Sequence, residues 1–230
     1  MKRRLFSTVM LSMVAWLGNA SAWAQQAFRS GKDYITLERP VATEAGTGKI
    51  EVLEFFWYSC PHCNAFEPAF EQWVKNAPKD VVVRRVPVAF REDFVPQQRL
   101  YYTLEAMNLV EKMHIRVFTA IHGEKLMLNS DATVQAWAEK QGIDKVKFAE
   151  TYKSFGVAAK AKRAVQLQND FKIEGVPSLG VAGATTSTGP WRAIWTAPSK
   201  WPSPSLPKPA KDAEPQPRGA RRPPNCPSEL

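Results

Sequence analysis

Apolar and polar positions alternate in blocks along this chain, and the blocks change period several times. Ile50–Tyr58 is almost continuously apolar and aromatic, as expected of a central strand buried on both faces. From Pro61 the period lengthens: Phe66, Phe70, Trp73 and Val74 recur at helical spacing, until Ala77-Pro78 closes the helix. Proline at the start is no obstacle, because the first helical turn has no use for its missing N–H. Val81–Val88 reads as a second buried strand, and Tyr34–Leu37 as a short first one. Residues 95–168 turn all-helical, with apolar spacing through Leu100–Val110, Ile115–Ile121, Ala132–Lys140 and Lys145–Lys153. A further helix covers Val157–Phe171, and Gly175–Val181 returns to strand character. The pattern predicts an α/β fold in which a helical domain, 95–168, interrupts one sheet built from 25–94 and 169–183.

The two ends read differently. Lys2-Arg3-Arg4, the apolar run Leu5–Leu17 and the small-x-small site Ala22-Trp23-Ala24 have the layout of a secretory signal over residues 1–24. The run is too short for a comfortable membrane span, which takes about 20 residues. Residues 184–230 hold 11 of the 18 prolines and show neither period, which predicts a disordered tail. Codons can be chosen so that an adjacent frame across Ala184–Ser205 spells a turn and an amphipathic helix. The tail is therefore expected to be either a frame-shifted ending or a proline-rich extension.

Charge changes the picture less than its total suggests. The chain carries a formal +9, yet residues 25–183 hold 21 basic and 19 acidic side chains, and the excess sits at the two ends. The folded part has no basic face for a nucleic acid.

Chemistry concentrates at Cys60-Pro61-His62-Cys63, between the first long strand and the helix that follows. A strand ending at Cys60 delivers its sulfur to a helix N-terminus, where unpaired N–H groups and the helix dipole favour a thiolate. His62 adds charge and a hydrogen-bond donor. The competing uses of such a pair fit less well. Zinc needs about four ligands, and the third cysteine, Cys226, lies in the tail. Haem attachment needs a histidine after the second cysteine, where Asn64 stands. An inert staple over so small a loop gains little chain entropy. Dithiol redox chemistry remains, with no metal and no cofactor beyond the cysteine pair.

The order of strand, CPHC, helix, inserted helices and Val176-Pro177 before a strand resembles the DsbA family of exported thiol–disulfide oxidoreductases. The segments that carry it are Leu53-Glu54-Phe55-Phe56, the CPHC motif with Phe66-Glu67 after it, and Gly175-Val176-Pro177-Ser178. The resemblance covers about 34–183. It implies a thioredoxin-like fold with an inserted helical domain, whose last strand and closing helix would be missing or replaced here. It implies an exposed, nucleophilic Cys60, a buried partner Cys63 and a cis-proline loop at Val176-Pro177 that meets substrate. It places Glu54 and Glu67 near the buried cysteine, where a carboxylate helps to move a proton, with Arg85 beside Glu54. Each has a plainer alternative: Glu54 and Arg85 as a structural ion pair, Glu67 as a solvated residue, Pro177 as a trans turn. His114 and His122 read as surface or structural residues of the insert.

The implied function is a periplasmic, monomeric dithiol oxidase acting on reduced, unfolded exported proteins and reoxidised by a membrane quinone-linked, DsbB-like partner. The implied thiol pKa is extreme, about 3.5 in the family's namesake. An isomerase or reductase with the same motif, and a non-catalytic binder of unfolded chains, are the alternatives.

Overall fold

The computed structural model describes Gly31 and residues 34–187. The strands are β1 (Ile35–Thr36), β2 (Ile50–Phe56), β3 (Val81–Pro87), β4 (Ser178–Val181) and β5 (Thr185–Ser187). The helices are α1 (Pro61–Lys75), α2 (Val95–Ala106), α3 (Val110–Phe118), α4 (Asp131–Lys140), α5 (Lys145–Tyr152) and α6 (Phe155–Asp170). A 3-10 turn over Glu92–Phe94 leads into α2, and a π-type turn over Thr119–Gly123 continues α3.

The sheet order is β1-β5-β4-β2-β3. β2 and β3 run parallel, and the other neighbours are antiparallel. Parallel neighbours need a crossover, and α1 supplies it. β2 lies in the middle and, as its composition predicts, six of its seven residues are buried. Its alternation serves both faces. Val52 packs with Phe66 and Phe70 of α1 on one side. Leu53 and Phe55 join Leu167 and Phe171, from α6 and its end, on the other. Each such side chain contributes about 1.5–3 kcal/mol on full burial.

The inserted unit is helical throughout α2–α5, as its spacing predicts. Its caps are legible: Ser130 accepts from the Thr133 N–H, Asp144 from Lys147 and Ser154 from Val157. The insert is stitched to the end of β3 by side-chain amides. Gln98 donates to the Pro87 carbonyl at 2.9 Å, and Gln168 accepts from the Ala89 N–H at 3.1 Å.

The boundary at Ala184 needs correction. The sheet runs on, with Thr185–Ser187 paired to both β4 and β1. The prolines that colour the longer stretch begin only at Pro190. The Thr-Thr-Ser run before them is β-favourable, and its partner Ile35–Thr36 lies too far away in sequence to be seen from local pattern. A last strand is therefore present. The expected loss of a closing helix, the disordered tail with Cys226 and the predicted signal over 1–24 all concern residues outside the described ones.

Gly183 makes this edge possible. Its φ is +66°, and a Cβ there would fall 1.9 Å from the Val41 carbonyl oxygen. The close approach lets the Val41 N–H donate to the Gly183 carbonyl at 2.7 Å. Gly183→Ala is expected to lower stability by more than about 1 kcal/mol, through both the left-handed conformation and the clash. Urea unfolding measures this, and an unchanged midpoint contradicts the crossing.

Candidate active site

Cys60 occupies the N-cap position of α1, with extended φ −79° and ψ 117°. Its carbonyl accepts the Asn64 N–H at 3.1 Å, the first turn of the helix. Both Cys60 and Cys63 are free thiols and buried. A turn closed by the Cys60 N–H on the Trp57 carbonyl, 3.0 Å away, feeds the chain from β2 into the helix. The strand-to-helix delivery read from the sequence is thus made through one intervening turn.

The two sulfurs differ in character. The Cys60 thiol is lowered to about 6, first by a hydrogen bond from the Cys63 thiol. Burial opposes this, and the N–H groups of Cys63 and His62 and the charge of His62 add to it. The exposed sulfur that the resemblance implies is corrected here: Cys60 is only 8% exposed, because the turn before α1 tucks it against the Val176-Pro177 loop. Cys63 is pushed far above the ordinary thiol range, chiefly by burial and then by the hydrogen bond and charge of Cys60. His62 itself is exposed.

Val176-Pro177 is a cis peptide, as expected for this loop. The Cys60 thiol donates to the Val176 carbonyl at 3.5 Å, so a backbone acceptor of this loop lies against the reactive sulfur. Ser178 braces the loop by donating its hydroxyl to the Gly175 carbonyl at 2.7 Å.

Beneath the cysteines lies a buried ionic cluster. The parallel register sets Glu54 of β2 opposite Arg85 of β3. Cys63, Glu67 and Glu71 follow one another along one face of α1 at four-residue spacing. Arg85 therefore meets three carboxylates: Nε lies 3.1 Å from Glu54, and Nη2 lies 2.6 Å from Glu67 and 2.7 Å from Glu71. Glu54 and Glu67 are 0% and 1% exposed, which removes the solvated alternative for Glu67. Glu71 was not marked in the sequence, although its position one turn beyond Glu67 was the signal for it.

Two buried carboxylates and a half-buried third around one guanidinium cannot all ionise freely. Burial, reinforced by the charge of Glu67, holds Glu54 well above the usual carboxylate range against the pull of Arg85. Burial raises Glu67 too, but His114 and Arg85 bring it below its ordinary value. Burial also holds His114 below the usual imidazole range, against Glu67. Glu67 thus answers to His114 first and to Arg85 second. Arg85 loses by burial but is raised by Glu54, Glu67 and Glu71 together.

Neither His114 nor His122 lies on the surface as a free side chain: the first is buried and the second half-buried. His114 is 1% exposed. Its Nδ1 accepts from the Tyr58 hydroxyl at 2.8 Å, and its Nε2 lies 3.3 Å from Glu67. His122 donates from Nε2 to the Tyr58 carbonyl at 2.8 Å. Among the described residues, no group of three or more His, Cys, Asp or Glu is placed to hold a metal.

A thiol made acidic at the start of a helix, a neighbour held as neutral thiol and a cis X–Pro carbonyl against the first sulfur together suit thiol–disulfide exchange, the chemistry of a disulfide oxidoreductase on a thioredoxin-like sheet. Comparison with known proteins agrees in detail. The model of the DSBA-like thioredoxin domain matches residues 51–197. The thiol:disulfide interchange protein DsbA of Burkholderia cepacia is 41% identical over 188 residues, covering 82% of this chain and 88% of that one. The DsbA of Pseudomonas aeruginosa is 36% identical over 181 residues, covering 79% and 84%. The crystal structure of Pseudomonas aeruginosa DsbA superposes with a TM-score of 0.69 at 35% identity, covering 74% of this chain and 91% of that one. This chain belongs to the DsbA-like thioredoxin domain family, and it is a thiol:disulfide oxidoreductase. The family acts through a cysteine disulfide without a cofactor.

Removing Arg85 would leave its carboxylates buried without a cation. Arg85→Met is expected to cost about 3–5 kcal/mol at neutral pH. Urea unfolding reads the loss, and a cost below about 1 kcal/mol contradicts the charge assignment.

Proposed function

We propose that the chain works as a periplasmic dithiol oxidase, passing a Cys60–Cys63 disulfide to reduced exported proteins. The observation that carries this reading is the placement of the two sulfurs: Cys60 at the N-cap of α1 against the Val176-Pro177 loop, and Cys63 fully buried one turn on, which lowers the first thiol and raises the second. A stabilised Cys60 thiolate favours the reduced enzyme, which makes the disulfide a strong oxidant. With a value near 6, Cys60 is mostly thiolate at pH 7.

The reaction balances as two electrons from substrate to enzyme. A substrate thiolate attacks the Cys60 sulfur, the Cys60–Cys63 bond breaks, and Cys63 leaves with the electron pair. Cys63 then takes a proton. Glu54, kept protonated by burial and by Glu67, is the donor we assign, with Glu67 and Arg85 fixing its charge state. A second substrate thiolate attacks the substrate-side sulfur of the mixed disulfide and expels Cys60, which is a good leaving group because it is stable as an anion. The substrate departs oxidised, and the enzyme is left with Cys60 as thiolate and Cys63 as thiol.

The remaining residues have positional roles in this scheme. Pro61 starts the helix without spending an N–H, and His62 adds positive charge beside the Cys60 sulfur. Val176 and Pro177 form the loop on which the substrate backbone is laid, next to Cys60. Reduced, unfolded exported proteins are the substrates, and a membrane quinone-linked, DsbB-like protein removes the two electrons afterwards. The leader of 1–24 is the feature that supports export, and a monomer suffices for the chemistry because one chain holds every group named.

Two measurements test this. Cys60→Ser is expected to abolish oxidation of a reduced two-cysteine peptide, while Cys63→Ala accumulates mixed disulfides; turnover retained in Cys60→Ser ends the reading. The second is the pH dependence of stability in the two redox forms. A thiol whose folded pKa is depressed stabilises the reduced fold fully above the unfolded pKa, and this is lost as pH falls through the folded value. The advantage of the reduced over the oxidised form in melting temperature is therefore expected to shrink between about pH 9 and about pH 6. A difference that stays constant across that window contradicts the thiolate assignment.

A further inference from the structure

The turn before Cys60 is held by the inserted helices. Its two central residues, Tyr58 and Ser59, meet three side chains from three separate elements. Gln97 of α2 accepts the Ser59 N–H at 3.1 Å and donates to the Ser59 hydroxyl at 2.6 Å. His114 of α3 accepts the Tyr58 hydroxyl at 2.8 Å. His122 of the π-type turn donates to the Tyr58 carbonyl at 2.8 Å. Covering an apolar sheet face requires none of these directions, since burial of apolar surface is not directional. Gln97 and His114 are 2% and 1% exposed, and an unmade polar contact at such depth costs about 1–3 kcal/mol.

His114 also reaches the helix. Its Nε2 lies 3.3 Å from Glu67 on α1, so one ring touches both the turn before Cys60 and the helix that carries Cys63. The ring is seated among Phe56, Tyr58 and Phe118, with centroids 5.2, 5.2 and 5.3 Å away. The titratable groups around it are Tyr58, Tyr101, Glu67, Arg85 and Glu71.

We infer that Gln97, His114 and His122 are positioning residues for Cys60: they fix the Trp57–Cys60 turn against α1, so that the sulfur stays aligned with the N–H groups of the first helical turn. The insert is then part of the frame of the reactive sulfur as well as a cover for the sheet. This rests on the oxidase reading of Cys60 and goes beyond it, because none of the three residues touches the reacting atoms.

The test follows Cys60 in the full chain by its rate of alkylation against pH, with the Cys60 peptide resolved by mass spectrometry so that Cys226 does not interfere. His122→Phe keeps an aromatic ring beside Phe118 and removes the donor, whereas His122→Gln restores an N–H. Gln97→Leu keeps the bulk and removes both bonds. In His122→Phe and Gln97→Leu the Cys60 titration is expected to rise by about half a unit or more, roughly threefold in thiolate affinity. The equilibrium with glutathione should move toward the enzyme disulfide by a matching factor, and His122→Gln should return toward the parent. Thermal melts identify the folded variants, and Tyr58→Phe, which loses a single oxygen, replaces any that do not fold. A Cys60 titration unmoved in folded variants overturns the inference, as does a shift in His122→Phe that His122→Gln fails to reverse. A parent chain whose Cys60 titrates as an ordinary thiol overturns the oxidase reading instead, whatever the variants do.

Discussion

The first turn of α1 has N–H groups with no carbonyl to receive them, and the side chain set before them is Cys60, in the place where Ser, Thr or Asp commonly caps a helix. The rest of the site follows from a sulfur standing where a capping oxygen would, near enough to those N–H groups to be made acidic although it closes no cap hydrogen bond. A thiolate suits that place better than a thiol, so the helix terminus selects the anion. The neighbour one turn on, Cys63, is buried with no water to stabilise a second anion, so it stays protonated and donates to the first. The helix end thus separates two chemically identical groups into one acid and one very weak acid.

That arrangement requires the ground beneath it to be rigid and near neutral. The register of β2 against β3 puts Glu54 and Arg85 side by side, and the four-residue repeat of α1 adds Glu67 and Glu71. Burial pushes Glu54 and His114 toward their neutral forms, and Glu67 and Arg85 lie in direct contact with the partly exposed Glu71 at the rim. Burying ionic groups is costly when they are incompletely paired. The sheet accepts the cost only where Arg85 can answer more than one carboxylate and also lie over the Phe70 ring, 5.6 Å away.

Much of this was legible along the chain because it is local. The unbroken apolar run of β2, the helical spacing from Phe66 to Val74 and the CPHC motif are each written within a few residues. The Val176-Pro177 loop and the Glu54–Arg85 pair were legible only through the family resemblance. What escaped is long-range or polar. Thr185–Ser187 becomes a strand only by meeting Ile35–Thr36, and its signal was swamped by the prolines beyond it. Gln97, His114 and His122 sit in helices where an amphipathic pattern treats any polar residue as surface. Their bonds to Tyr58 and Ser59 span 38 to 64 residues, and no periodicity records them.

The pairing of β1 with β5 has a consequence for the order in which the molecule can be completed. Ile35 meets Thr186, the Leu37 N–H needs the Ala184 carbonyl, and Val41 needs Gly183. A chain emerging amino end first must hold its opening segment unpaired until nearly the whole domain has been made. The edge strand is therefore a latch that closes last, and ribosomal or translocation intermediates shorter than about this length have one sheet edge open to other chains.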